Sequence, residues 1–245
     1  MFKLMYSIIA YTVFLLTSAY ATGFVAGVVV PRTIDGPQKY SFADAITVDA
    51  MLLVLFGLQH SAMARPGFKR VWTRWIPEAV ERSTYVVFSS LILIGLFVFW
   101  RPIEGVVWNA SSPWNDLLWG GYAAGWLVLM LSSFMISHSE LFGLSQAWHE
   151  LHGRLMPAQR FRARWFYKQV RHPIMLGFLI AFWSAPRMTV GHLVFSAGMT
   201  IYLLIGVHFE EADLESALGD DYRAYQSRVP MLLPWLKTRR RTDRP

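Results

Sequence analysis

Polar residues able to handle a charged small molecule crowd into two places in the C-terminal third of this chain. The first is Tyr167-Lys168-Gln169-Val170-Arg171-His172-Pro173-Ile174-Met175-Leu176-Gly177; the second, after a long apolar stretch, is Glu210-Glu211. Pro173 suits the first turn of a helix, where its missing N–H costs nothing, and His172 then falls at the cap. Such a helix start leaves the backbone N–H groups of Ile174, Met175 and Leu176 unpaired, a cradle for a carboxylate. Glu210 can accept hydrogen bonds from a diol or an amino group. Glu211 lies about 100° further round the helix, so the two carboxylates cannot face one ligand equally. The aromatic faces of Tyr167 and Trp165 can hold a cation, with about 0.5–2 kcal/mol of attraction.

The elements that must position these groups are membrane helices. Of the 245 residues 54% are hydrophobic, with 11 Trp and 17 Phe, which sets the chain apart from soluble domains of this length. Crossing a hydrocarbon core of about 30 Å takes about 20 apolar residues. Candidate spans are Leu4–Val30, Ala43–Ala64, Tyr85–Trp100 and Asn115–Ser137, followed by a hairpin of Pro173–Ala185 and Val190–Phe209. The fifth is short and ends at Pro186. The expected fold is an all-α polytopic membrane protein of about six helices. Residues 1–138 form its membrane body, and residues 139–245 carry the hairpin and a cytoplasmic tail. The first segment is too long for a signal peptide, and Ser18-Ala19-Tyr20-Ala21 is a weak cleavage site, so a retained helix is expected. Cysteine is absent, which excludes disulfides and thiolate metal sites; no metal is expected.

Charge sets the orientation. The net charge is +7, and six spans leave only Arg32, Lys39, Arg101 and Arg187 of the 23 Lys and Arg on one side. Basic residues stay cytoplasmic, so both termini are expected to face the cytoplasm across the cell (inner) membrane. The run Lys237-Thr238-Arg239-Arg240-Arg241 beside a membrane helix points to anionic lipid headgroups rather than nucleic acid. The connection 139–171 carries Trp148, His149 and His152, then Arg160, Arg162 and Arg164 among Phe161, Trp165 and Phe166. A short amphipathic helix is expected before Pro157. Past the hairpin, helix should continue from Glu210 to Leu218, stop at Gly219, and restart at Asp220 and Asp221. Tyr222 and Tyr225 are expected to pack the tail over the site.

Tyr-x-x-x-Arg-His-Pro-x-x-x-Gly, a hairpin, Glu210-Glu211, Gly219-Asp220-Asp221-Tyr222-Arg223-Ala224-Tyr225 and Pro230 occur in an order and spacing that resemble the isoprenylcysteine carboxyl methyltransferase superfamily. The resemblance implies a membrane-embedded, S-adenosylmethionine-dependent methyltransferase with Tyr167, His172, Pro173, Ile174, Met175, Glu210 and Glu211 at the cofactor and a functional role for Arg171. Two positions depart from the pattern. Met175 stands where the family has a tyrosine, and Gly206 stands where it has an arginine that contacts a prenylated carboxylate. A prenylcysteine carboxylate acceptor is therefore poorly supported.

Upstream, Gln59-His60-Ser61-Ala62-Met63-Ala64-Arg65 and Glu81-Arg82-Ser83-Thr84-Tyr85 look like the NnrU-like branch of that superfamily. Such a front joined to the Arg-His-Pro motif is the pattern of methanethiol S-methyltransferases, as are Val170–Trp183 and Met188-Thr189-Val190-Gly191-His192. The resemblance implies a small thiol, methanethiol, as acceptor and dimethyl sulfide as product. A thiol pKa near ~8.5 leaves little thiolate at neutral pH, so a base or cation is wanted. His60, His138 and His208 lie within spans or at their boundaries, where polar residues are costly, and are the candidates. The competing class is a haem-binding NnrU-like isomerase with His60 and His138 as axial ligands, which leaves residues 167–234 without a role.

Overall fold

In the computed structural model of the chain, residues 1–157 and 163–234 are described. Arg160, Phe161, Arg162 and the basic run from Lys237 to Arg241 lie outside them. The protein is an all-α polytopic membrane protein built on five helices long and apolar enough to span: α1 (Phe2–Ala26), α2 (Phe42–Ala64), α4 (Glu78–Phe99), α5 (Trp114–Ile136) and α9 (Val190–Leu218). Between them lie α3 (Pro66–Trp72), α6 (His138–Leu141), α7 (Leu144–Leu151) and α8 (Pro173–Trp183), with α10 (Asp220–Gln226) at the end of the described chain.

Local chemistry explains most of the boundaries. The Ser41 hydroxyl caps α2 by accepting from the Asp44 N–H at 3.1 Å, and Thr189 caps α9 through the His192 N–H at 3.1 Å. Helix α1 ends at Ala26, short of the expected Val30, because Gly27 takes the left-handed conformation (φ 72°). Helix α4 begins at Glu78 instead of Tyr85; its first two turns are charged and escape a hydropathy reading. Helix α9 runs on to Leu218 and stops at Gly219, whose φ is 57°, as the sequence implies. Helix α8 has only 11 residues, about 16 Å of rise, and therefore reaches about half-way across a bilayer.

That short helix is held by α5. A Cβ added at Gly125 would sit 2.6 Å from the Ala181 nitrogen, and one at Gly177 would sit 2.7 Å from the Gly125 oxygen. The two backbones touch, the close approach that small residues permit between membrane helices. An aromatic core of Phe24, Phe97, Trp100, Phe182 and Phe195 joins α1, α4, α8 and α9, while large apolar side chains such as Leu16, Leu58, Phe134 and Ile201 face outward.

One feature departs from the all-helical expectation. Val106–Asn109 (β1) and Arg187–Thr189 (β2) pair as an antiparallel ribbon at the end of the bundle opposite the Arg-His-Pro segment. Trp108 anchors it there by donating from Nε1 to the Ala185 carbonyl at 2.8 Å.

Candidate functional site

The start of α8 is strapped to the tail. Arg171 and His172 donate their backbone N–H groups to the Pro230 and Met231 carbonyls at 2.9 and 3.2 Å. The Arg171 guanidinium is buried: Nε donates to Glu211 Oε1 at 2.6 Å, and Nη1 donates to the Gln226 and Val229 carbonyls at 3.0 and 2.9 Å. Arg171, a candidate catalytic residue by resemblance, thus uses Nε and Nη1 to hold residues 226–229 against α9.

His172 stands between the two carboxylates, with Nε2 3.1 Å from Glu211 Oε1 and Nδ1 3.6 Å from Glu210 Oε2. The pair diverges as the helical spacing requires. Glu211 is largely enclosed, whereas the Glu210 side chain is 46% exposed and open to a ligand. Tyr167, in the turn Trp165–Lys168, faces Glu210; burial first, then the Glu210 and Tyr225 charges, push its hydroxyl above the ordinary tyrosine range. Tyr225 donates to the Tyr167 carbonyl at 2.5 Å, and burial raises its own hydroxyl to about 12.

Pro173 is buried and occupies the first position of α8, with His172 at the cap. The Leu176 N–H is not part of the expected cradle, because it donates to the His172 carbonyl at 3.0 Å. The donors of Ile174 and Met175 remain, next to His172 and Glu210.

The three candidate histidines separate. His60 Nε2 lies 2.6 Å from the Tyr85 oxygen, and Nδ1 is buried with no partner among the described residues. Its ring packs near those of Phe56 and Tyr202, at 5.3 and 6.1 Å between centroids. His138 has both nitrogens engaged, with Tyr11 Oη at 2.7 Å and Ser133 Oγ at 2.8 Å, and stacks on Phe134 at 4.2 Å. His208 is exposed beside Phe209. Of these three, His60 alone keeps a buried nitrogen with no hydrogen-bond partner among the described residues.

Tyr85 belongs to the Glu81–Tyr85 motif, but Tyr202, which also lies against His60, carried no signal in the sequence, since aromatic residues on apolar helices are ordinary. Along α9, Tyr202, Gly206 and Glu210 follow one another turn by turn, and a Cβ added at Gly206 meets nothing within 4 Å. Space is therefore open beside Gly206, one turn before Glu210 on α9. Arg65, from the end of α2, is joined to Asp213 at 2.9 Å and lies 5.3 Å over the Phe209 ring.

Comparison with known proteins gives relatives across the whole chain. Methanethiol S-methyltransferase 2 of Bradyrhizobium diazoefficiens is 49% identical over 98% of this chain and 93% of its own. Methanethiol S-methyltransferase of Mycobacterium tuberculosis is 47% identical over 95% of this chain and 96% of its own. More distantly, Nurim of Danio rerio is 28% identical over 69% of this chain and 64% of its own. No family model and no solved structure matches.

Proposed function

The chain belongs to the methanethiol S-methyltransferase family, and on that premise we propose that it methylates methanethiol to dimethyl sulfide, with S-adenosylmethionine as donor. The observation that carries the choice of acceptor is Gly206 itself, one turn before Glu210, where an added Cβ meets nothing within 4 Å. With glycine instead of an arginine at 206, and Arg65 already paired with Asp213, the space beside Glu210 suits a small neutral molecule better than a carboxylate. A prenylcysteine carboxylate has no partner at that position. The haem reading loses a ligand, since His138 spends both ring nitrogens on Tyr11 and Ser133.

The residues at the start of α8 fit the donor. The free N–H groups of Ile174 and Met175 take its carboxylate. Glu210 accepts from its ribose hydroxyls or amino group, and His172, braced by Glu211 at 3.1 Å, fixes Glu210 from behind. The Tyr167 ring offers its face to the cation for about 0.5–2 kcal/mol. When bound, S-adenosylmethionine supplies an electrophilic methyl group for a single displacement: the methyl–sulfonium bond breaks, the thiolate–methyl bond forms, and S-adenosylhomocysteine leaves. The chain's part is alignment and removal of the thiol proton. His60 takes that proton on Nδ1 while Nε2–H donates to the Tyr85 oxygen, and the apolar walls hold thiolate and methyl at near-attack distance. Arg171 and Glu211 keep the tail closed over the site.

The Lys/Arg imbalance supports access to a cytoplasmic donor, because it assigns both termini and the motif to the cytoplasmic side of the cell membrane. Reporter fusions after Pro245 and in the 101–114 loop should read opposite sides. The activity itself is tested by headspace analysis of membranes given methanethiol and S-adenosylmethionine. Dimethyl sulfide well above background is expected. Background levels alongside robust methylation of a prenylcysteine analogue would replace thiol methylation with carboxyl methylation. With saturating donor and subsaturating thiol, the rate should rise with pH, and His60→Ala should flatten that rise while leaving affinity for S-adenosylhomocysteine unchanged.

A further inference from the structure

At the end of the bundle away from the motif, Lys and Arg are scarce: Arg32, Lys39, Arg101 and Arg187 are those that the loops there carry. Three of them, Arg32, Lys39 and Arg101, line a single cavity of about 780 Å³ between the α1–α2 connection and the end of α4. Cations on the translocated side of a membrane protein are disfavoured, so three around one space need a reason.

Two of the three are fixed in place. The Arg32 backbone N–H donates to Tyr20 Oη at 3.3 Å, and its guanidinium donates to the Val98 carbonyl. Arg101 donates its backbone N–H to Asp49 Oδ1 at 2.9 Å and lies 4.0 Å over the Tyr40 ring. Among the described residues, none of the three side chains ion-pairs with a carboxylate; the pairs that Lys and Arg do form lie elsewhere. Asp35 is the carboxylate on the cavity wall, and it is drawn away by the Thr189 hydroxyl and by His192, whose Nδ1 lies 4.0 Å from it. Asp49, held by the Arg101 backbone N–H, is the second carboxylate close by; three cations against two carboxylates leave a net positive charge.

The same cavity has an apolar side. Leu52 and Phe97 line it, and Val98 and Phe99 carry that surface out to the lipid-facing flank of α4, where they are 40% and 65% exposed. A free inorganic anion would use the cations and gain nothing from the hydrocarbon surface. A neutral lipid would use the surface and leave the cations unpaired. An anionic amphiphile uses both.

We propose that this cavity is a binding site for an anionic phospholipid, its phosphate between Arg32, Lys39 and Arg101 and an acyl chain along Leu52, Val98 and Phe99. The location, at the level where helix ends meet headgroups, matches what such a lipid can reach. The site is separate from the methyl-transfer residues, and its occupancy ties the α1–α2 connection to the end of α4.

The test is thermal unfolding of the full chain in detergent with a short-chain phosphatidylglycerol, the corresponding phosphatidylcholine, or inorganic phosphate. At about 100 times its dissociation constant the anionic lipid should raise the melting temperature by roughly 5 °C, with little effect from the other two. The triple variant Arg32→Gln, Lys39→Gln, Arg101→Gln should lose the shift, and Arg187→Gln should keep it. If the triple variant fails to fold, Lys39→Gln alone should weaken the lipid's apparent affinity, since that side chain makes no hydrogen bond among the described residues. An equal shift with phosphatidylcholine, or a shift retained in the triple variant, would overturn the site. Inorganic phosphate reproducing the whole shift would assign the cations to a free anion and overturn the lipid.

Discussion

Around Gly125 and Gly177, α5 and α8 meet backbone to backbone, with no side chain between them. Around Arg171, in contrast, three segments meet through a single guanidinium that reaches Glu211 and the carbonyls of Gln226 and Val229. The two joints are neighbours, because α8 begins at one and runs along the other. Their requirements differ in kind. The glycine joint asks only for absent volume and tolerates any chemistry that stays small. The arginine joint asks for donors in a fixed fork and tolerates no substitute, since a carboxylate and two carbonyls are enclosed around it. The first decides where α8 lies; the second decides whether the tail covers the face where α8 begins.

The sharpest way to break this contrast is Arg171→Met, which keeps much of the volume and removes the donors. It strands the Glu211 carboxylate in a confined site, a loss of about 3–5 kcal/mol for a broken buried pair. Thermal unfolding of the full chain in detergent should show a large drop, and Arg171→Lys should not rescue it, because a point charge cannot reproduce the fork. A Met variant as stable as the parent would mean that the guanidinium is free for another task.

Gly125→Leu attacks the other joint. The new side chain would need space held by the Ala181 and Gly177 backbones, at 2.6 and 2.7 Å from its Cβ, and overpacking of this kind costs about 1–3 kcal/mol. Gly120→Leu, on the same helix but with nothing within 4 Å of the added Cβ, should be nearly silent. Equal effects at the two glycines would remove close approach as the explanation.

The two joints also differ in how much of them the sequence reveals. Helices α1, α2, α5 and α9 are legible because about 20 apolar residues in a row have few other fates. The early start of α4 is not, because Glu78, Glu81 and Arg82 lower the local hydropathy while remaining good helix residues in water. The β1–β2 ribbon is illegible for a different reason: its strands have four and three residues and pair across the length of α5 and α8. The cap at His172 and the divergence of Glu210 from Glu211 follow from Pro173 and from helical spacing. The partners of Arg171 do not, since they are main-chain carbonyls that exist at the site only once the tail has folded back. For the same reason His60 and His138 read alike in sequence, and only the neighbours supplied by other helices tell them apart.

Glu210→Gln sharpens the contrast within the motif itself. Glu210 is 46% exposed and Glu211 is 16% exposed, so the first should matter for the ligand and the second for the joint. Calorimetry with S-adenosylhomocysteine should show affinity falling more than tenfold in Glu210→Gln, about 1.4 kcal/mol, with the melting temperature little changed. Glu211→Gln should do the reverse, lowering stability first. Equal behaviour of the two variants would contradict the division of labour.

The smallest expected effect concerns His138, which follows α5 and packs with Tyr11, Phe134 and Phe142. The Ser133 hydroxyl donates to the Met130 carbonyl at 2.7 Å, so it must accept from His138 Nδ1–H at 2.8 Å, which leaves Nε2 to accept from the Tyr11 hydroxyl at 2.7 Å. The ring is thereby held neutral, and burial keeps its pKa below the ordinary 6.5. A base whose folded pKa is depressed binds its proton more readily when unfolded. Its contribution to stability is therefore complete above about pH 6.5 and is lost as the pH falls from there toward the folded value. The melting temperature of the parent should fall on that acid limb, and His138→Gln should flatten it, at the cost of a small loss at neutral pH from the stack on Phe134. The pH dependence of methyl transfer should not move in His138→Gln, whereas it should move in His60→Ala. If His138→Gln shifts the activity profile and leaves the acid limb of stability as it was, the base lies at the end of α5, and His60 is the packing residue.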